Sequence, residues 1–241
     1  ASPALVTLVA FLVAALAAAA AQRRERRKLE ARFAQHLSPE VVRRIADDPE
    51  MLRLGGEERT LTALTTDIEG FTALTERVTP AELIGLLDDY LDRVTRIVVA
   101  HGGMVDKIVG DAVLAFFNAP LDLDDHAGRA VRAALAIRDA TAAMCEEPEP
   151  ARLRLGRTRI GVETGKAVVG DVGGARKLDY TAYGQPINTA KKLEGANKLF
   201  GTSIAVGPGT VASAPNIAFR RVGAIKPSPT LDEIAVSEPV G

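Results

Sequence analysis

The order of apolar segments from Arg59 onward is the feature that most limits how this chain can fold. Short β-branched runs alternate with two long segments of helical periodicity, at 80–100 and 124–145. The remaining pattern predicts strands at 60–67, 104–109, 112–117, 159–163 and 167–172 (the last two as a hairpin), a break at 146–150, a helix at 186–199, and strands at 203–206, 217–225 and 231–236. This β-α-β-β-α-β order predicts an α+β, ferredoxin-like sandwich with extra C-terminal strands.

An uncharged run at 4–21 precedes this region. As a helix it would be about 27 Å long at about 1.5 Å per residue, close to the roughly 30 Å hydrocarbon core of a membrane. It is followed by the basic residues Arg23, Arg24, Arg26, Arg27 and Lys28. By the positive-inside rule, we expect a transmembrane helix at 1–22, a helical linker at 23–58 and a cytoplasmic domain at 59–241, at the inner or plasma membrane. A signal peptide and a buried soluble helix are the alternatives. Because the chain begins with Ala1, we also expect it to be part of a longer protein.

Composition excludes several classes of function. The 30 basic and 31 acidic residues nearly cancel, so the chain lacks the charge excess of a nucleic-acid-binding protein. A single cysteine, Cys145, rules out a disulfide framework and a cysteine–histidine zinc site. The apolar content of 47% is ample for a core, although only 4% of residues are aromatic.

Two aspartates stand where apolar runs end beside glycine. Asp67 follows the run at 61–66 and precedes Gly70, and Asp111 follows the run at 105–109 and Gly110. Carboxylates at strand ends or tight turns suit a hard divalent cation such as Mg²⁺. The alternative is that these aspartates only form turns.

A third segment, Asp-Tyr-Thr-Ala-Tyr-Gly-Gln-Pro-Ile-Asn-Thr-Ala-Lys-Lys-Leu-Glu at 179–194, favours the metal-binding interpretation. Together, and in this order, the three segments resemble the class III nucleotide cyclases, in which the third motif usually reads Asp-Tyr-Thr-x-x-Gly-Asp-x-Val-Asn-x-Ala-x-Arg-Leu-Glu. The resemblance extends over 59–236.

The resemblance implies a two-metal site with two Mg²⁺ or Mn²⁺ ions. Asp67, Asp111 and the backbone carbonyl of Ile68 match the family's metal ligands. The amides around Phe71 and Thr72 lie where a helix N-terminus would bind phosphates. In this family the metal ligands come from one subunit and the base-binding and transition-state residues from the other, so the resemblance also implies a head-to-tail homodimer.

Five further residues match family positions that contact substrate. Asn188 and Lys192 lie one helical turn apart, and by resemblance Asn188 orients the ribose while Lys192 stabilises charge on the α-phosphoryl group. Lysine replaces the usual arginine there and loses its bidentate geometry. Lys107 matches the lysine that contacts adenine, with Gln185 at the position taken as its partner, and Lys226 matches a late lysine that meets the triphosphate.

The expected activity is therefore that of an adenylate cyclase, which converts ATP to 3′,5′-cyclic AMP and pyrophosphate in intracellular signal transduction. A guanylate cyclase is the alternative among enzymes. A cyclase-like domain that binds nucleotide with little turnover is the alternative from another class, because Gln185 and Lys192 replace the usual aspartate and arginine.

Overall fold

A computed structural model describes residues 20, 23, 56–174, 177–227 and 232–240. The fold lies within the second of two units, Arg53–Gly241. Most of the predicted linker and almost all of the predicted transmembrane segment fall outside the described residues. Within the described residues, no helix has the length and apolar character needed to cross a membrane.

Eight strands and six helices make up the described fold. The strands are β1 (Glu57–Ile68), β2 (Met104–Val109), β3 (Ala112–Phe117), β4 (Thr158–Gly174), β5 (Lys177–Gly184), β6 (Ile204–Val206), β7 (Phe219–Ile225) and β8 (Ile234–Pro239). The helices are α1 (Phe71–Thr75), α2 (Pro80–Ala100), α3 (His126–Cys145), α4 (Pro148–Leu153), α5 (Gln185–Phe200) and α6 (Pro208–Ser213).

The sheet has the order β2-β3-β1-β4-β6-β8-β7, and β5 pairs with β4. Its β2-β3-β1-β4 part, with α2 and α3, is the predicted β-α-β-β-α-β unit, which confirms the α+β class. All described pairings are antiparallel except that of β4 with β6.

Helices cover both faces of the sheet, and β4 shows how they are positioned. Ile160 and Val162 of β4 join the main core with residues of α2 and α3. The intervening Gly161 faces α5, and a methyl group there would lie 2.0 Å from the carbonyl oxygen of Ala190. Successive strand residues point to opposite faces, so the small residue lets α5 lie directly against the backbone of β4.

The structure corrects the predicted hairpin at 159–163 and 167–172. Those residues form one continuous strand, β4, and its hairpin partner is β5, which the sequence pattern did not predict. Gly165, which lies between the two predicted strands, is part of β4 and lies against the ring of Pro186. The predicted break at 146–150 is also wrong in its second half, since α4 begins at Pro148.

Candidate functional site

Asp67 and Asp111 come from different elements and converge at one end of the sheet. Asp67 is the second-last residue of β1, and Asp111 occupies the turn between β2 and β3 after Gly110, whose φ of 64° favours glycine. An Asp111 Oδ2 atom accepts a hydrogen bond from the Ile68 N–H at 2.8 Å. Burial raises the pKa of Asp111, the Ile68 N–H lowers it, and the charge of Asp67 raises it further. The two carboxylates are therefore close enough to repel each other.

The chemistry of these donors fits a hard divalent cation. Asp111 is 8% exposed, whereas the side chain of Asp67 is 31% exposed. Asp111 is therefore held inside the fold, while Asp67 is partly accessible to solvent. Within the described residues, no cluster of three or more histidine, cysteine, aspartate or glutamate side chains is arranged so that it could hold a metal ion. A cation bound to this pair would need further oxygen ligands, such as backbone carbonyls, phosphate or water.

Arg159 is a functional candidate that sequence reasoning missed. It lies opposite Asp67 in the pairing of β1 with β4, and its guanidinium donates hydrogen bonds both to Asp67 and, at 2.8 Å, to Glu194 of α5. Its side chain is 8% exposed. A buried arginine beside a candidate metal ligand can offset negative charge before a cation binds. Only the strand register, which the sequence pattern does not reveal, shows this contact.

Tyr90 of α2 lies near these strand ends. It is fully buried, and its hydroxyl is 3.5 Å from the hydroxyls of both Thr66 and Thr158. Burial raises the pKa of Tyr90 to about 12, although the two threonine hydroxyls act against this. The phenol therefore stays protonated next to the carboxylates.

Lys107 pairs with Thr181 rather than with Gln185. Its Nζ atom donates to the Thr181 hydroxyl at 3.0 Å and to Asp106 at 3.2 Å. Thr181 is 2% exposed, whereas Gln185 is an exposed residue at the start of α5. The contact joins the β2–β3 hairpin to the β4–β5 hairpin. Because β5 was not predicted, the sequence offered no way to place Thr181 beside Lys107.

Asn188 and Lys192 lie on α5 and are both exposed. Within the described part of the chain, neither forms a hydrogen bond or an ion pair. The structure therefore does not join them to Asp67 and Asp111 inside one subunit.

The remaining predicted substrate residues are on the surface or partly buried. Helix α1 begins at Phe71, directly after Gly70 in the left-handed region at φ 71°. Phe71 packs against the main core and Thr72 is exposed. Lys226 is exposed and directly follows β7. The phosphate-binding roles of all three stay predictions.

The fold and these residues define a nucleotide cyclase catalytic domain. Residues 56–225 match the sequence model of the adenylate and guanylate cyclase catalytic domain, and the chain belongs to this family.

Relatives from both nucleotide classes resemble it. Adenylate cyclase 1 of Rhizobium meliloti is 35% identical over 210 residues, which is 87% of this chain and 32% of that protein. The chain thus spans about a third of that relative's length. Among solved structures, the adenylyl cyclase CyaB from P. aeruginosa has a TM-score of 0.69 at 28% identity, covering 78% of this chain and 97% of that one. The guanylyl cyclase Cya2 has a TM-score of 0.64 at 27% identity, covering 78% and 95%.

Proposed function

We propose that this chain is the catalytic part of an adenylate cyclase that forms 3′,5′-cyclic AMP and pyrophosphate from ATP. The Lys107–Thr181 pair is the observation that carries the choice of nucleotide. A lysine ammonium only donates hydrogen bonds, so it suits N1 of adenine, an acceptor, and not N1–H of guanine. The threonine hydroxyl can accept from the adenine amino group. Guanylate cyclase is the second candidate, since the solved structures that resemble this chain include one.

In the proposed reaction, the ribose 3′-oxygen attacks the α-phosphorus and the bond to the bridging oxygen of pyrophosphate breaks. Two bound Mg²⁺ or Mn²⁺ ions would acidify the 3′-hydroxyl and neutralise the triphosphate. Asp67, Asp111 and the Ile68 carbonyl would hold these ions. Arg159, which donates to Asp67, would offset the charge of that carboxylate. We assign further phosphate contacts to Phe71 and Thr72 through their amides and to Lys226.

The residues of α5 act on the reacting centre in this proposal. Asn188 orients the ribose, and Lys192 stabilises the charge that develops on the α-phosphoryl group. Gln185, next to them at the helix start, lines the base. Because Asn188 and Lys192 are exposed and, among the described residues, form no hydrogen bond or ion pair with the two aspartates, we propose that they act in the site of a second subunit.

Exposed apolar side chains support such a homodimer. Ile108 and Val109 of β2 are 48% and 70% exposed, and the cross-strand partners Val168 and Tyr183 are 52% and 57% exposed. All four belong to the two hairpins that Lys107 and Thr181 join. An apolar surface of this kind, next to a half-complete site, suits a protein–protein interface.

Mixing two inactive variants tests the shared site. Asp67→Ala and Asn188→Ala should each abolish cyclase activity. In an equal mixture, half of the dimers are hybrids with one intact site of two, so about a quarter of wild-type activity should return. A mixture of Asp67→Ala with Asp111→Ala is the control, since both changes affect the same half-site and should restore nothing. Proven hybrid dimers without recovered activity would contradict the model.

We also propose that the segment at 4–21 anchors the catalytic domain on the cytoplasmic face of the membrane. The support is the uncharged run followed by arginines. The full chain should then fractionate with membranes and resist salt washing, while a chain that begins at Gly56 should not. Full-length protein that stays in solution without detergent would contradict a spanning helix.

A further inference from the structure

Glu163 is a buried carboxylate that the proposed mechanism does not use. It lies in β4 between Gly161 and Gly165, on the face covered by α5, and is 9% exposed. Its Oε1 atom accepts a hydrogen bond from the Gly209 N–H at 3.3 Å, but its Oε2 atom has no hydrogen-bond partner among the described residues. Buried polar atoms are almost always paired, so this oxygen requires an explanation.

The carboxylate lies where three elements meet. A methyl group at Gly207 would be 2.2 Å from Oε2 of Glu163 and 3.0 Å from Cδ1 of Leu193. Leu193 belongs to α5 and directly follows Lys192. The backbone N–H groups of Gly209 and Thr210, in the first turn of α6, also point to the carboxylate. Glu163 therefore lies against the segment that follows β6, and Gly207 of that segment lies close to both the carboxylate and Leu193 of α5.

Few groups compensate a charge at this position. Burial raises the pKa of Glu163 to about 7, and only backbone N–H groups act against it. From β1, the facing residue is Ala63. On α5, Lys192 and Glu194 flank Leu193: Lys192 is exposed and forms no ion pair among the described residues, and Glu194 is bound to Arg159. His126 of α3 is hydrogen-bonded to Thr62, and Thr62 is hydrogen-bonded to Thr164. Thr164 points to the face of the sheet opposite Glu163, so His126 does not face the carboxylate. Helix α6 carries no charged side chain.

We propose that Glu163 is a positioning residue for cyclisation: its neutral carboxyl keeps α5, and with it Asn188 and Lys192, seated on β4, and its ionisation loosens that contact. The inference rests on the proposed function. The neutral form can stay buried with one unpaired oxygen at small cost, whereas a carboxylate ion requires more donors or water. Gly207 lies close to both Oε2 and Leu193, so we infer that water reaching this oxygen would enter beside α5 and loosen its packing.

The pH dependence of kcat with Mn-ATP tests this role in the full chain. If only the neutral form is competent and its pKa is about 7, the competent fraction falls about tenfold between about pH 6 and about pH 8. Glu163→Gln stays neutral and should lack this decline, so its kcat relative to wild type should rise about tenfold over the same range. Titration of substrate and metal ligands affects both proteins and cancels in that ratio. Glu233→Gln, at an exposed position, is the control and should give a constant ratio.

Hydrogen exchange of the α5 amides provides a readout that does not need activity. After correction for intrinsic rates, protection of α5 should fall between pH 6 and pH 8 in wild type but not in Glu163→Gln. Glu163→Met, neutral and similar in length, serves as a second variant if the first does not fold. A pH-independent activity ratio together with unchanged α5 protection would overturn the proposal. If the protection of α5 changes as expected but the protein has no cyclase activity, the result would support the positioning role of Glu163 and contradict the proposed function instead.

Discussion

Replacing Arg159 by methionine should destabilise the protein far more than replacing an exposed arginine. The Arg159 side chain is 8% exposed and joins Asp67 and Glu194, whose side chains are 31% and 13% exposed. Removing one partner of a buried ion pair costs about 3–5 kcal/mol, because the remaining charge is left uncompensated. Since Asp67 is partly open to solvent, which screens its charge, we expect about 3 kcal/mol for Arg159→Met.

Divalent cations should restore part of this stability. A cation bound at Asp67 replaces the missing positive charge, so Mn²⁺ should raise the midpoint of thermal unfolding more in Arg159→Met than in wild type. The chain contains no tryptophan, so unfolding is best followed by far-ultraviolet circular dichroism.

Arg96→Met is the matched control for this prediction. Arg96 pairs with Asp92 at 2.9 Å, but the two side chains are 68% and 63% exposed. Such surface pairs contribute about 0.2–1 kcal/mol. If Arg159→Met loses no more stability than Arg96→Met, or if Mn²⁺ affects wild type and variant equally, Arg159 does not compensate the charge of the site.

Four further predictions concern single residues. Lys107→Glu should shift the preference from ATP toward GTP, because glutamate accepts from N1–H of guanine; unchanged relative rates for the two nucleotides would contradict the assignment. Lys192→Ala should lower kcat on the order of 100-fold with little change in KM while Lys192→Arg raises it, and an alanine variant as fast as wild type would make Lys192 a surface residue only. Gly161→Ala places a methyl group 2.0 Å from a backbone oxygen of α5 and should cost about 3 kcal/mol in urea unfolding, whereas Gly195→Ala, in open space, should gain about 0.5–1 kcal/mol. The pKa of Glu163 is raised from 4.5 to about 7 in the folded state, so the free energy of unfolding should fall by up to about 3 kcal/mol as pH rises from about 4.5 to about 7. Glu163→Gln should remove this pH dependence in denaturation curves.

Elements whose ends carry a local sequence signal, such as a helix cap or a turn, were predicted correctly. Helix α2 begins and ends where the pattern placed it, since Thr79 forms a capping box with Glu82 and Pro80 is the first helical residue. Strands β2 and β3 also match, because Gly110 and Asp111 mark the turn between them. The convergence of Asp67 and Asp111 followed from their positions at strand ends.

Contacts between distant segments could not be predicted in the same way. Gly165 lies between two apolar runs, a position that favours a turn, but in the structure it packs against Pro186 of α5 within the continuous strand β4. Because the sequence pattern paired the two halves of β4 with each other, β5 was not predicted as the partner of β4. Without β5, Thr181 could not be paired with Lys107. Arg159 meets Asp67 through strand register, which depends on the whole sheet rather than on local pattern.

The initial rate of cyclic nucleotide formation by the purified full chain with Mn-ATP and with Mn-GTP distinguishes an adenylate cyclase from the alternatives. We expect cyclic AMP and pyrophosphate in equal amounts from ATP, and a slower reaction or none with GTP. Asp111→Asn can still accept the hydrogen bond from the Ile68 N–H but lacks a carboxylate proposed to bind metal, so it should form neither product. Faster turnover of GTP would contradict the nucleotide assignment. Nucleotide binding without product from either substrate would contradict the enzyme assignment and favour a regulatory domain.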